Sequence, residues 1–152
     1  MQVSIRQAKG VDYEKIAGLL SSSSLPSEGF AEHLHNFLVA ENGDGIVGAI
    51  GLEIYGETAL LRSAVVSSPL QYKGVGTLLY NQLIENAKSL GVRRLILLTT
   101  TAEKYFERKG WKRIDAKSVS GAVTTSVEFT GACPSTAACM ELSLHSERSE
   151  AE

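Results

Sequence analysis

Gln71, Lys73, Gly74 and Gly76 are the residues whose types and spacing point most directly to chemistry. In Gln71-Tyr72-Lys73-Gly74-Val75-Gly76-Thr77 two glycines bracket a valine, so no side chain blocks a ligand's approach to the backbone. Val75, Leu79 and Leu83 then recur on one helical face. The N–H groups beside the glycines would lie in the first turn of a helix, where donors lack intrahelical acceptors. Such donors, with the positive end of the helix dipole behind them, suit an anion. Lys73 adds a mobile positive charge, and the anion predicted is a phosphate or pyrophosphate.

The elements that must hold this loop are legible on both sides of it. Leu60 to Val66 is a largely apolar run ending in two valines, and Ser67-Ser68-Pro69 breaks it, giving strand, loop, helix. A Walker loop would need Gly-Lys-Ser or Gly-Lys-Thr at the helix start, and a dinucleotide fingerprint three glycines in a first βα turn. The chain has neither.

Upstream, Val3 to Arg6 alternates as a half-buried strand, and Asp12 can cap a helix carrying Ile16, Leu19 and Leu20. Ser21 to Ser24 and Pro26 end it as a surface loop. Ser27 and Glu28 can start a second short helix with Phe30, Leu34 and Phe37. Its His33 and His35, two apart, point to different faces, a poor arrangement for a shared metal. Asn42-Gly43-Asp44-Gly45 is a hairpin turn between strands at Phe37–Ala40 and Ile46–Ile54, so the first half reads βααβββ. Downstream, Gly91 ends the glycine-loop helix and Arg93 to Thr99 reads as a buried parallel strand, completing a βαβ unit. Thr99 to Thr101 can cap a helix closing at Gly110. Val119, Val123 and Val127, four apart, predict a short helix, and Ala137 to Leu144 a final strand.

Gln71-x-x-Gly74-x-Gly76, preceded by Ala64-Val65-Val66 and a proline, resembles the acyl-CoA loop of the GNAT superfamily of N-acetyltransferases. A second likeness lies in Thr99 to Trp111, where Ala102, Gly110 and aromatic Trp111 agree with the family's pattern, so the resemblance runs from about Val47 to Trp111. It implies the GNAT fold, α/β, with a mixed sheet of six or seven strands flanked by about four helices, as a single domain over 1–145 before a polar, fraying tail at 146–152. It also implies acetyl-CoA as cosubstrate, held by Val65, Val66, Gln71, Tyr72, Lys73, Gly74, Val75, Gly76, Thr77 and Tyr105. The segment from Leu97 to Trp111 is similar to that of amino-acid N-acetyltransferases, among them the N-acetylglutamate synthase catalytic domain. It is more similar still to small GNAT proteins associated with arsenic-resistance operons, a likeness that continues through Glu128 to Met140.

The implied reaction is direct acetyl transfer to a primary amine of a small molecule, an amino acid or amino-acid-like compound. Alternatives are a protein N-acetyltransferase and a CoA-binding regulatory module with little turnover. Two positions depart from the family's pattern: Thr99 replaces a common Asn, and Tyr105-Phe106 reverses the familiar order. The superfamily's acid tyrosine would fall at Phe106, which has no proton to give. Tyr105 carries a phenol next door, although adjacent helix positions differ by about 100° in direction. Glu53, Glu57 and Glu28 are carboxylates that could take the amine proton, with Glu53 preferred and Glu28 also placed toward the acceptor; a water chain could serve instead. Arg62 could pair an acceptor carboxylate bidentately.

The remaining composition limits the partners. At 152 residues, 43% hydrophobic and net charge −2, the chain has a core-forming composition and no basic block, so neither nucleic acid nor a membrane is expected. No signal-like apolar core opens the sequence, which predicts a cytoplasmic protein with reduced cysteines. Cys133 and Cys139 are read as buried small hydrophobes, not as a metal knuckle, and no metal site is expected. A homodimer through the last strand is compatible with the weakly patterned C-terminal third.

Overall fold

The computed structural model describes residues 3–67, 70, 74–126, 128–132 and 136–144. Among the described residues ten strands and α-helices follow one another: β1 (Ser4–Gln7), α1 (Tyr13–Ser22), β2 (Phe37–Asn42), β3 (Gly45–Tyr55), β4 (Thr58–Val66), α2 (Val75–Ser89), β5 (Arg94–Thr99), α3 (Glu103–Arg108), β6 (Lys112–Ile114) and β7 (Ala138–Ser143). The seven strands form one sheet in the order β1-β2-β3-β4-β5-β7-β6. The mixed α/β sheet expected of the sequence is what forms. Two compact units divide the chain, Met1–Leu52 with Arg62–Asn86, and Glu53–Leu61 with Ala87–Glu152.

In the first unit β1 and β2 pair antiparallel, as do β2 and β3, with a bulge between Ala40 and Glu41. The hairpin turn is where the glycines and Asn42 put it, and the Asn42 Oδ1 accepts from the Asp44 N–H at 2.8 Å. Ile16, Leu20, Phe30, Phe37, Val39, Ala49 and Val65 form the buried core here. Phe30 links its aromatics, stacking on Tyr13 with centroids 4.8 Å apart and tilting against Phe37 at 5.6 Å.

Asp12 does not cap α1 as expected, for it makes no side-chain bond to the helix. Its carboxylate instead reaches back to the Lys9 N–H at 2.7 Å and takes both Nη1 and Nη2 of Arg6, at 2.8 and 3.0 Å. Arg6 Nε adds Glu41 at 2.9 Å, joining β1 to β2. These bonds, led by that to Arg6, hold the Asp12 carboxyl below its ordinary range. A depressed folded pKa means the stabilisation is complete above the unfolded value near 3.9 and is lost as pH falls through the folded value. Asp12→Asn should therefore cost about 3 kcal/mol at pH 7 and progressively less on acidification below about pH 4, read by urea melts across that range.

The segment after α1 differs from its expected form. Instead of a helix from Ser27, a 3₁₀ helix spans Phe30–Asn36, entered through left-handed Gly29, while Phe37 opens β2 where a strand was expected to begin.

In the second unit β5 is parallel to β4, Thr58 to Leu60 facing Arg94 to Ile96, but antiparallel to β7 along its other edge. The strand read as parallel is thus the sheet's change of direction. Arg94 and Glu141 pair across the antiparallel side. Strand β6, absent from the sequence reading because Lys112-Arg113-Ile114 is short and polar, pairs with β7. The helix predicted through Val119, Val123 and Val127 is replaced by 3₁₀ turns at Ala116–Ser118 and Ala122–Thr125 and a π turn at Glu128–Ala132. Gly121, with φ +92°, interrupts any helix between the first two. The valine spacing nevertheless served burial: Val119 and Val123 pack with Leu60, Ile96 and Cys139. Val127, Cys133 and the tail from 145 lie outside the described residues.

Candidate functional site

In the first unit the strand and the helix on either side of the glycine loop stand as the sequence implied. Helix α2 begins at Val75, and the Gly74 carbonyl accepts the first helical bond, from Leu78 N–H at 3.1 Å. Val75, 4% exposed, anchors the start inward, with Leu79 and Leu83 following on the same face. Gly74 has φ +88°, a conformation side chains rarely adopt, and a Cβ built there meets nothing within 4 Å among the described residues. Among the described residues a Cβ on Gly76 would touch the Val66 methyl, at 3.7 Å. Among the described residues the backbone at the helix start is therefore clear of side chains, and helix geometry aims the first-turn N–H groups away from intrahelical partners. Thr77 follows in this turn, half-buried. Gln71, Tyr72 and Lys73 lie outside the described residues.

Strand β4 leads into this loop with an irregularity that no pattern in the sequence announced. Ser63 is left-handed, φ +61°, and buried in mid-strand, where a non-glycine residue stores strain. Ala64 beyond it is exposed and Val65 buried. Arg62, just before the kink, is 2% exposed, its Nε donating to Ser63 Oγ at 3.0 Å and its Nη2 to the Pro26 carbonyl at 3.1 Å. Those bonds tie the segment after α1 to the kinked strand. Glu28, two residues past Pro26, is exposed.

In the second unit Glu53 lies near the end of β3 with 1% exposure. Tyr55, two residues on, donates its hydroxyl to Glu53 Oε1 at 2.5 Å. Glu57 is exposed in the following turn. On α3 the reversed aromatic pair divides its duties: Phe106 is buried edge-on to Trp111 at 5.5 Å, whereas Tyr105 is half-exposed, with Lys109 Nζ 5.4 Å from its ring centroid. Thr99, standing where the family often has Asn, orders the lead into α3. Its Oγ1 accepts from Ala102 N–H at 3.0 Å and from Thr101 N–H at 3.4 Å.

A family model described as the Acetyltransferase (GNAT) family matches residues 5–111. The chain belongs to the GNAT family. Among similar proteins, an amino-acid acetyltransferase of Neisseria meningitidis is 27% identical over 121 residues, covering 72% of this GNAT chain and 27% of the relative. The chain thus spans about a quarter of the length of that relative. N-acetylglutamate synthase from Neisseria gonorrhoeae, solved with coenzyme A and N-acetyl-glutamate, superimposes with TM-score 0.81 at 22% identity over 96% of this chain and 36% of its own. A Mycobacterium tuberculosis protein solved with CoA and NLQ gives TM-score 0.79 at 22% identity, over 93% of this chain and 99% of its own. At these identities the structures establish the shared fold.

Two residues of this GNAT chain escaped the sequence reading, Tyr55 and Ser63. Tyr55 left a usable signal, since a tyrosine two positions from a strand glutamate shares its face. Ser63 left none. Cys139 is buried as expected, and burial pushes its thiol up to about 11. The protonated, enclosed thiol should react with a disulfide reagent at pH 8 at least about a hundred-fold more slowly in the folded protein than in urea. Measuring the rate for a Cys133→Ser variant isolates Cys139.

Proposed function

We propose that this chain transfers an acetyl group from acetyl-CoA to the primary amine of a small molecule of the amino-acid class, with residues 1–145 acting as one GNAT domain. The observation that carries the reading is the side-chain-free backbone at Gly74 and Gly76 opening α2, in a chain of this family. The residues fit the group: an anion can reach the first-turn N–H groups, with Gln71, Tyr72 and Lys73 preceding them and Val75, Gly76 and Thr77 forming the turn. Relatives named amino-acid acetyltransferase support the acceptor class.

The bound thioester supplies an activated acetyl group, and the protein's share is to orient it and to handle protons. Backbone N–H groups at Val65 and Val66 orient the acyl carbonyl, in the manner of oxyanion donors. Glu53 takes the proton of the attacking amine, since a carboxylate so buried on a strand end has a structural cost that a catalytic duty would explain. Tyr105 contacts the cosubstrate and returns a proton to the departing sulfur; unchanged turnover in Tyr105→Phe at saturating acetyl-CoA would remove it from this role. Arg62 pairs the acceptor carboxylate, which requires the Pro26 carbonyl to give up Nη2, and Glu28 sits on the same segment as Pro26. A binding module with little turnover is the second reading, favoured by Phe106, whose buried ring has no proton to donate.

The test is acetyl-CoA-dependent release of free CoA thiol against amino acids, amino-acid analogues and a lysine peptide. Release with a small acceptor supports the enzyme; release with the peptide alone points to a protein acetyltransferase. Acetyl-CoA binding with no release for any amine supports the module.

A further inference from the structure

We infer that Tyr55 is a positioning residue that fixes the Glu53 carboxylate for proton transfer, an inference that rests on the reading of Glu53 as the base. The two residues are separated by one position on β3, so their side chains leave the same face of the sheet. The Tyr55 hydroxyl donates to Glu53 Oε1 at 2.5 Å. Glu53 is 1% exposed, and a carboxylate taken so far from water keeps its charge where protein donors replace the lost hydration. A glutamate side chain has three rotatable bonds, and burial alone does not choose how its oxygens are presented. A donor on a rigid ring does.

The ring is held in turn. Tyr55 packs against the cluster of Leu60, Ile96, Val119, Val123 and Cys139, which draws on β4, β5, β7 and the turns of the C-terminal third. The phenol therefore has a fixed origin from which to aim. This gives the irregular stretch after β6 a purpose beyond closing the core: it buttresses Tyr55, and through Tyr55 it sets Glu53.

The experiment is a double-mutant cycle with Tyr55→Phe, Glu53→Gln and the pair. Tyr55→Phe keeps the ring and its packing, so the protein should still unfold cooperatively, with its Tm lowered only by the loss of one hydrogen bond to a buried carboxylate. Glu53→Gln should lower kcat about a hundred-fold, and Tyr55→Phe about ten-fold with KM for acetyl-CoA unchanged. In the Glu53→Gln background Tyr55→Phe should have no further effect, because its influence passes through the carboxylate. A purely structural tyrosine would instead give losses that multiply. A second readout needs no turnover: in the protein alone the Tyr55–Glu53 hydrogen bond should give a downfield phenolic proton resonance, absent in Tyr55→Phe and displaced in Glu53→Gln. Full kcat in Glu53→Gln overturns the base and the inference with it. An impaired Glu53→Gln with multiplicative losses, with unimpaired Tyr55→Phe, or with the same downfield spectrum in all variants overturns the inference alone.

Discussion

Gly76→Glu should weaken binding of coenzyme A by about a thousand-fold while leaving the protein as stable as its parent or more so. The two halves of this result have separate causes. Among the described residues a Cβ at residue 76 meets the Val66 methyl at an ordinary 3.7 Å, so the fold has room for it. Replacing a helical glycine recovers about 0.5–1 kcal/mol of backbone propensity, and a carboxylate in the first turn favours the helix dipole. The same carboxylate stands where the proposed pyrophosphate must approach, and like charges about 4 Å apart at an effective dielectric near 20 repel by about 4 kcal/mol. Calorimetric titration with coenzyme A, beside thermal melts, separates these effects; Gly76→Gln should lose much less affinity. Undiminished affinity in Gly76→Glu would move the anion site away from this loop.

Gly51→Ala, by contrast, should cost about 3 kcal/mol or more of stability through a single methyl group. Gly51 and Phe37 face one another in the β2–β3 register, and the Phe37 ring occupies the space an added Cβ would need. Phe37 is fully buried and braced by Phe30, so the ring has nowhere to go. For a chain of this size the cost should lower Tm by about 6–12 °C. Phe37→Leu should restore part of the loss in the Gly51→Ala background, since it removes the overlapping atoms; a Tm unchanged by Gly51→Ala would mean the ring repacks freely.

The elements nearest the proposed chemistry were those most legible in the sequence. Leu60 to Val66, the glycine pair and the Val75-Leu79-Leu83 stripe each obey a local rule, and the strand and the helix formed accordingly. Asp12 shows where local rules stop. Its type and place fit a helix cap, yet the carboxylate serves Arg6 and Lys9, because a bidentate guanidinium on the neighbouring strand outcompetes a helix N–H. Val119 and Val123 show the converse: their spacing correctly marked a buried face, but β-branching and Gly121 left turns where a helix was expected. Ser63 and Tyr55 owe their importance to contacts made only after folding. No periodicity records a left-handed serine in a strand; for Tyr55 the two-residue spacing from Glu53 marks the shared face but not the hydrogen bond.

The position of β7 has a consequence for how the protein is made. Strand β7, near the end of the sequence, lies between β5 and β6, so β6 finds its described partner in a segment synthesised some two dozen residues after it. During translation the second unit cannot acquire its final pairing until Ala138 to Ser143 leaves the ribosome, whereas the β1–β2–β3 ladder is complete much sooner. Until then β5 presents an apolar edge, Leu95 to Leu98, to solvent or to a chaperone. A stalled nascent chain ending before residue 138 should be a chaperone client, with a folded first unit and an unfinished second one.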